Sequence, residues 1–291
     1  MECKICGNKK SDVIYKGRIR DGALGNYTQD EVEMIQCRGC HAIYHKNNRG
    51  KEFYESCEYR EKMGQRTEDY TLLHDKEVLD KLKYTGTDIF RNKIIADVGC
   101  GGGSFLDFVS GVASQILGIE PTESFRKRLK QKGYHMYAYV QNALEDYEDK
   151  VDIVTSFDVI EHVEDPQKFL EDIYRLLVQG GRAVIGTPTD APIMRNLLGE
   201  VYEKKQLFST QHLWIFSKKS LHIMAEREGY TKIGFRYFQR YGIGNMLGWV
   251  RDKEQGTAVG GKFISDALEG VWCGQLCDRE MSDYIVMYLE K

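Results

Sequence analysis

Apolar runs alternate with amphipathic stretches along residues 94–187. The run Ile94–Val98 stops at a cluster of glycines, an amphipathic stretch follows, and a second apolar run, Ile116–Ile119, ends on Glu120. Short apolar runs bounded by turn residues are typical of buried strands, whereas apolar positions three and four residues apart are typical of a helix. The order therefore predicts a β-turn-α-β unit.

The same alternation continues to residue 291. It predicts further strands at 134–140, 151–157, 182–187, 231–239 and 283–291, and helices over 122–132, from Pro166 to the Gly180–Gly181 pair, and through Leu221 to Gly229. Strands that alternate with helices form a doubly wound, mostly parallel sheet, which binds its ligand at the carboxyl ends of the strands. The sequence therefore predicts an α/β fold with a seven-stranded sheet.

The glycines between the first strand and the first helix carry the chemistry of the predicted unit. Gly99, Gly101 and Gly103 allow a sharp turn and a close approach of ligand to backbone, and a helix that starts near Ser104 directs unpaired N–H groups toward that ligand. An acid at the end of the second strand, here Glu120, is placed to accept hydrogen bonds from ribose hydroxyls. These features predict a ligand of the adenosine type.

The residues on either side of the glycines disfavour a nicotinamide dinucleotide. Such a ligand calls for G-x-G-x-x-G, but position 104 is serine. Asp97 precedes the first glycine. A carboxylate at that position would bind a cationic ligand more favourably than a negatively charged pyrophosphate.

The run Asp97–Gly103 followed by Glu120 resembles the cofactor loop of the class I S-adenosylmethionine-dependent methyltransferases. The run Phe157–Val163 resembles the segment after the fourth strand in the ubiquinone-biosynthesis type of O-methyltransferase and its small-molecule relatives. The resemblance implies a Rossmann-like methyltransferase fold and S-adenosylmethionine as cofactor. The cofactor-binding residues that it implies are Asp97, Gly99, Cys100, Gly101, Gly103, Glu120, Asn142, Ala143 and Phe157, of which Asn142 and Ala143 would line the adenine.

Two histidines are candidates for the base that removes a proton from an acceptor hydroxyl. Gln211–Ser217 resembles a stretch that faces the substrate in the same family, and histidine titrates in the range that a general base needs. His212 is therefore the first candidate, with a bracing role in its loop as the alternative. His162 is the second, with a structural role in a tight turn as its alternative.

Composition and charge narrow the class of partner. The chain has 291 residues, of which 42% are hydrophobic and 29% charged, and a formal net charge of −3 with both signs interspersed. This balance disfavours a nucleic-acid substrate. Neither an N-terminal apolar segment nor an apolar run of membrane length is present, so we expect a cytoplasmic protein without a membrane span.

Four cysteines near the start of the chain form two matched pairs, Cys3 with Cys6 and Cys37 with Cys40. Two C-x-x-C pairs are typical of a tetrahedral zinc site. A ribbon of this size cannot fold on its apolar core alone, so we expect the zinc to be structural. His41 and His45 are alternative ligands, with an ordinary surface role as the competing interpretation.

The sequence predicts three regions: a zinc ribbon over 1–50, a helical connector or lid over 51–91, and a methyltransferase domain over 92–291 with an insertion at 240–282. Tyrosines of the connector either close over the cofactor or pack the modules together; they are Tyr54, Tyr59, Tyr70 and Tyr84. The glycine-rich insertion covers the acceptor site, mediates self-association as a homodimer, or is a surface decoration.

The resemblance favours O-methylation of a small polar metabolite, such as a sugar or a nucleotide-linked intermediate of surface-polysaccharide or secondary metabolism. A ribbon with the loop Arg18–Gly22 is similar to methyltransferases of carbohydrate pathways. The alternatives are a sugar C-methyltransferase and an RNA or protein methyltransferase that docks through the ribbon. The acceptor and the methylated atom stay open.

Overall fold

The structure is a computed structural model that describes residues 2–46, 74–254, 259 and 263–291. Most of the predicted connector lies outside the described residues, including Tyr54, Tyr59 and Tyr70. Among the helices that the structure describes, none has both the length and the apolar character needed to cross a membrane.

The described strands and helices follow the chain in this order. The strands are β1 Ser11–Gly17, β2 Val32–Cys37, β3 Ile43–His45, β4 Ile94–Val98, β5 Gln115–Ile119, β6 His135–Tyr137, β7 Val151–Phe157, β8 Leu177–Pro188, β9 Trp214–Ile215, β10 Lys232–Phe238 and β11 Tyr284–Glu290. The α-helices are α1 Glu77–Thr85, α2 Ser104–Val109, α3 Glu123–Gln131, α4 Val140–Tyr147, α5 Pro166–Leu176, α6 Pro192–Leu198, α7 Glu200–Tyr202, α8 Lys218–Glu228, α9 Ile243–Asp252 and α10 Asp266–Asp278. A 3₁₀ helix covers Ile160–His162 and a π-helix covers Glu203–Leu207.

The chain divides into two compact units, each assembled from separated segments. The ribbon unit comprises Met1–Arg49, Thr187–Ile223 and Phe235–Val286. The sheet unit comprises Gly50–Gly186, Met224–Gly234 and Met287–Lys291. The boundaries predicted at residues 50 and 91 stay predictions.

The larger sheet has seven strands in the order β10-β11-β8-β7-β4-β5-β6. The five strands from β8 to β6 in this order are parallel to one another. Its central strands are continuous apolar runs because helices cover both faces of a parallel sheet. The predicted α/β fold with a seven-stranded, mostly parallel sheet is confirmed.

The apolar core of the sheet unit lies between its strands and the helices that flank them. Phe90 and Phe105 are each 1% exposed and their rings meet edge to face, with centroids 5.7 Å apart. Ile95 and Ile153 come from adjacent strands of the sheet and join the same cluster. This core fixes the first strand and helix of the β-turn-α-β unit in place.

The ribbon unit has its own sheet of four strands in the order β1-β2-β3-β9, all antiparallel. Ile43 pairs with Ile215 and Tyr44 with Trp214, so a short strand far along the chain completes the N-terminal sheet. The apolar core of this unit combines N-terminal residues with residues from the second half of the chain. Ile19 belongs to the same buried cluster as Phe208 and Trp249.

Two local predictions need correction. The strand predicted over 134–140 ends at Tyr137, because α4 already begins at Val140. The helix predicted to run from Pro166 to Gly180–Gly181 ends at Leu176, and both glycines lie inside β8. The pairing of β7 with β8 shifts register there, and Gly180 has a φ of 74°, so the strand is irregular at the glycines. The insertion contains the two helices α9 and α10 among its described residues.

Candidate functional sites

The glycine loop joins β4 to α2 in the sheet unit. The Gly99 amide donates to the Ile119 carbonyl at 2.7 Å, so the loop is anchored to the neighbouring strand. Gly99 and Gly103 have φ values of 79° and 85°, which only glycine adopts without strain. A Cβ at Gly103 would lie 2.4 Å from Leu129 Cδ2, so a larger residue there would also displace the Leu129 side chain.

Glu120 follows β5 directly and its carboxylate turns back onto the glycine loop. One oxygen accepts a hydrogen bond from the Gly101 amide at 3.1 Å and the other accepts one from the Thr122 amide at 2.9 Å. The residue is 3% exposed. Each carboxylate oxygen has two lone pairs, so a carboxylate can accept more than one hydrogen bond at each oxygen.

Asp97 is the second buried acid of this site. Thr155 Oγ1 donates to its Oδ1 at 2.7 Å, whereas its Oδ2 is buried with no hydrogen-bond partner among the described residues. Burial raises the pKa of Asp97 to about 6, although the Lys81 charge and the Thr155 hydrogen bond oppose that shift. A buried carboxylate oxygen without a partner fits a cationic ligand group such as the ammonium of an amino acid.

Lys81 is a component that the sequence interpretation missed. Its Nζ lies 5.7 Å from the centroid of the Phe157 ring, and its charge lowers the pKa of Asp97. Phe157 is itself 5% exposed and packs 5.9 Å from the Tyr84 ring and 6.2 Å from the Phe105 ring, centroid to centroid. Since α1 lies outside the recognised motifs, only the tertiary structure reveals this neighbour.

The remaining predicted cofactor residues occupy different environments. Cys100 is buried within the loop, and burial raises the pKa of its thiol, so it is not a thiolate. Ala143 is buried in the first turn of α4. Asn142 is exposed in the same turn, and its Oδ1 accepts a hydrogen bond from the Tyr139 amide at 3.2 Å. Asn142 thus has a visible role at the start of the helix, and its contact with adenine stays a prediction.

The two candidate bases belong to different units. His162 ends the 3₁₀ helix of the sheet unit, and its Nε2 lies 3.9 Å from the Oε1 of the buried Glu161. His212 lies in the ribbon unit, partly buried, and its amide donates to Ser209 Oγ at 3.2 Å. Its carbonyl oxygen lies 3.2 Å from His45 Nε2. The catalytic roles of His162 and His212 stay predictions.

The four N-terminal cysteines converge on one point of the ribbon unit. The Cys3 and Cys40 sulfurs lie 3.7 Å apart, and those of Cys6 and Cys37 lie 3.4 Å apart. All four sulfurs lie within 4.8 Å of one another. In a tetrahedral site with a Zn–S bond of about 2.3 Å, the sulfurs are about 3.8 Å apart, so this donor set fits zinc.

The four sulfurs interact with one another, and the nearby histidines do not join them. The hydrogen bond between Cys3 and Cys40 lowers the pKa of Cys3 to about 5 and raises that of Cys40. The alternative ligand His45 lies with its Nε2 2.9 Å from the Ser209 carbonyl oxygen, and His41 is exposed in a left-handed turn. The cysteine cluster is thus complete without either histidine, and zinc itself stays a prediction.

This protein has a parallel α/β sheet with a glycine loop after one strand and an acid after the next. Such an arrangement is typical of proteins that bind a nucleoside. Comparison with known proteins narrows this class. The family model described as "Methyltransferase domain" matches residues 70–233. The chain belongs to this methyltransferase family, and its resemblance to the class I S-adenosylmethionine-dependent enzymes is confirmed.

Curated relatives include two ubiquinone biosynthesis O-methyltransferases. That of Actinobacillus pleuropneumoniae serotype 5b (strain L20) is 28% identical over 148 residues, which cover 46% of this chain and 62% of the relative. That of Proteus mirabilis (strain HI4320) is 28% identical over 117 residues, which cover 38% of this chain and 47% of the relative. The chain therefore spans about half to three-fifths of the length of these relatives.

Two solved structures show the same fold. A Thermotoga maritima S-adenosylmethionine-dependent methyltransferase, described as a possible histamine N-methyltransferase, is 18% identical and superposes with a TM-score of 0.51 over 77% of this chain and 93% of its own. A putative methyltransferase in complex with a Haloferax volcanii methyltransferase activator is 15% identical, with a TM-score of 0.51 over 76% of this chain and 94% of its own.

Proposed function

We propose that this protein transfers a methyl group from S-adenosylmethionine to a hydroxyl of a small polar metabolite, such as a sugar or a nucleotide-linked intermediate. The carrying observation is the pair of buried acids around the glycine loop: one oxygen of Asp97 has no hydrogen-bond partner among the described residues, and the Glu120 carboxylate accepts hydrogen bonds from the Gly101 and Thr122 amides. Membership of the methyltransferase family supports the same conclusion.

The proposed cofactor contacts follow from the positions of the chain's own groups. The Asp97 carboxylate would hold the ammonium of the methionine part, and Glu120 the ribose hydroxyls. The first turn of α4, with Asn142 and Ala143, would line the adenine. When bound, the cofactor supplies a methyl group that its sulfonium already makes electrophilic, so the protein's task is mainly to align the reactants.

The acceptor side of the reaction calls for a base if the acceptor is a hydroxyl. We propose His212 for this role and His162 as the second candidate, because a histidine titrates near neutral pH. We further propose that the four cysteines bind one structural zinc ion that stabilises the ribbon unit. Their sulfur distances support this assignment.

The relatives give a second candidate acceptor. Both are named as enzymes of ubiquinone biosynthesis, so a quinol precursor is a second candidate acceptor beside a sugar. Two more distant candidates are a sugar carbon, which a C-methyltransferase would modify, and an RNA or protein that docks through the ribbon. The net charge of −3 disfavours the RNA acceptor.

The proposal is tested with the full chain, S-adenosylmethionine labelled in its methyl group, and separate pools of sugars, nucleotide sugars and quinol precursors. Transfer of label to a hydroxyl oxygen of one pool would support the proposal and select the acceptor class. Label on a carbon atom would indicate the C-methyltransferase instead. Binding of the cofactor with no transfer to any acceptor, RNA and protein included, would indicate a protein that only binds it.

A further inference from the structure

The ribbon unit contains a cleft that the proposed cofactor contacts do not use. Its empty volume is about 500 Å³ with open solvent counted. The cleft lies among α6, α7, the π-helix, α9, α10 and the start of β11. The lining residues that matter here are Tyr202, Gln206, Tyr241, Trp249, Trp272 and Asp283.

Aromatic rings and flexible apolar side chains form most of the cleft wall. Tyr202 and Trp249 are both buried, and their rings meet edge to face with centroids 5.4 Å apart. Tyr241 is 45% exposed, and Trp272 is partly buried. Three methionines complete the wall: Met194, Met246 and Met281. Methionine is unbranched and adapts to the shape of a ring, so the wall suits a flat apolar ligand face.

The charges around the cleft favour a neutral ligand. Neither lysine nor arginine is among the described lining residues. The buried Asp283 carboxylate accepts hydrogen bonds from Gln239 Nε2 at 2.8 Å and from the Arg240 and Tyr241 amides at 2.9 and 3.2 Å. Because three donors already satisfy this carboxylate, it does not require a cationic ligand. The nearby Arg240 guanidinium is also engaged, because its Nε lies 3.7 Å from Asp283 Oδ1 and its Cζ lies 4.2 Å from the Tyr284 ring centroid. A phosphate or carboxylate ligand would therefore find no uncommitted cation among the described lining residues.

Two polar atoms of the wall have no partner in this structure. Trp272 Nε1, a donor, and Gln206 Oε1, an acceptor, are shielded from solvent and have no hydrogen-bond partner among the described residues. Native proteins leave few such atoms, because each costs the desolvation of a polar group. A ligand that offers one acceptor and one donor would satisfy both atoms.

We propose that this cleft binds a neutral planar ring with at least one hydrogen-bond acceptor and one donor on its edge. The ring stacks on the aromatic wall, and its edge reaches Trp272 Nε1 and Gln206 Oε1 as the methionines rearrange. A hexose fits less well, because its hydroxyls need polar partners on all sides and Gln239 is already engaged with Asp283. Two sources supply the required chemistry: a nucleoside base and a phenolic ring.

The inference goes beyond the proposed function, because binding in the cleft is measurable without methyl transfer. The experiment uses the full chain and ligand-observed NMR titration with three probes: uridine, catechol and methyl α-D-glucopyranoside. Uridine is preferred to adenosine, which would also enter the cofactor site. The variants are Trp272→Phe and Gln206→Leu, and the control is Val271→Ala, which is on the same helix, 63% exposed and outside the cleft.

We expect saturable binding of uridine or catechol, and whichever binds identifies the source. Trp272→Phe and Gln206→Leu should each weaken that binding roughly five- to tenfold, the effect of one lost hydrogen bond. Both variants remove an unpartnered buried atom, so the thermal midpoint of the ligand-free chain should stay equal or rise. The control should change neither quantity, and affinity for S-adenosylhomocysteine should stay unchanged in all three variants.

Three results would overturn the inference. One is the absence of saturable binding by both planar probes. Another is binding of methyl α-D-glucopyranoside in their place. The last is binding of uridine or catechol with the same affinity in both cleft variants, which would locate it elsewhere.

Discussion

Thr155 forms a hydrogen bond with one carboxylate oxygen of Asp97 and not with the other. The Thr155 hydroxyl donates to Asp97 Oδ1 at 2.7 Å from the neighbouring parallel strand, and Asp97 Oδ2 is buried with no partner among the described residues. The carboxylate therefore has a fixed orientation and an unmet acceptor. Such an arrangement costs stability and is consistent with a role in binding.

Replacing Asp97 with asparagine should separate stability from binding. The folded pKa of about 6 lies above the ordinary value of 3.8, so the fold favours the protonated acid. Ionised Asp97 therefore lowers the free energy of unfolding at pH 7 by roughly 3 kcal/mol, at about 1.36 kcal/mol per pKa unit. Asp97→Asn should raise the free energy of unfolding at pH 7 by up to that amount and weaken binding of S-adenosylhomocysteine at least tenfold. Urea denaturation and calorimetric titration measure the two effects. The matched control is Asp80→Asn, which removes an exposed acid of α1.

Cofactor affinity should fall as the pH is lowered through about 6. Above this pH Asp97 is ionised and attracts an ammonium group, and below it the acid is neutral. The contribution of Asp97 to stability has the opposite sign: the free energy of unfolding falls as the pH rises from about 3.8 to about 6, because the folded state binds the proton more tightly. Calorimetric titrations of S-adenosylhomocysteine between pH 5 and 8 check the first trend. An affinity that stays constant over this range would exclude Asp97 as the partner of the ammonium group.

Replacing Glu120 with alanine should weaken cofactor binding by about 1 to 3 kcal/mol, the cost of lost hydrogen bonds to a charged acceptor. The change also removes the acceptor of the Gly101 and Thr122 amides, so the loop loses an anchor. Calorimetric titration with S-adenosylhomocysteine measures the loss. Glu123→Ala serves as control, since Glu123 is exposed and pairs only with Lys127 among the described ion pairs. Equal affinity of the two variants would contradict the ribose role.

Replacing His212 with alanine should lower turnover roughly a hundredfold or more while cofactor affinity stays within about twofold, because a general base acts on the acceptor. The control is His222→Ala, an exposed histidine of the same unit. Turnover measured on the acceptor that the labelling experiment selects gives the comparison. Unchanged turnover would remove His212 from the mechanism and turn attention to His162.

Each chain should bind one zinc ion, and Cys37→Ser should abolish that binding. Loss of a structural zinc removes part of the folding free energy, so the thermal midpoint should fall by roughly 5 °C or more. Metal analysis and thermal denaturation with and without a chelator measure both effects. Cys273→Ser is the control, because Cys273 lies on α10 and outside the cluster. Zinc-free protein with an unchanged midpoint would argue against a structural metal.

Local patterns predicted the first strand, the glycine loop and Glu120 because each depends on residues close to it in the chain. The two C-x-x-C pairs predicted the cysteine cluster for the same reason, because each pair lies within one short turn. The third strand was predicted to reach Val140 because the apolar run continues to that residue, but the helix begins at Val140 and Asn142 lies in its first turn.

The features that the sequence did not reveal depend on contacts between distant residues. Lys81 approaches Phe157 across 76 positions of the chain, and no spacing rule links them. The cleft combines Gln206 with Trp272, which are 66 positions apart. The sequence analysis assigned no helix or strand to the glycine-rich insertion, and its described part contains two helices that bury Trp249 and Leu276.

The pairing of β3 with β9 sets an order of events during synthesis. Residues 43 and 44 can pair only after residues 214 and 215 have been synthesised. Because a ribosome adds roughly 5 to 20 residues per second, roughly 10 to 30 s separate the synthesis of the two strands. During this interval the nascent segment exposes an open strand edge, which is a template for pairing with other chains. Early binding of a metal ion by the four cysteines would stabilise the β2–β3 hairpin before β9 is synthesised.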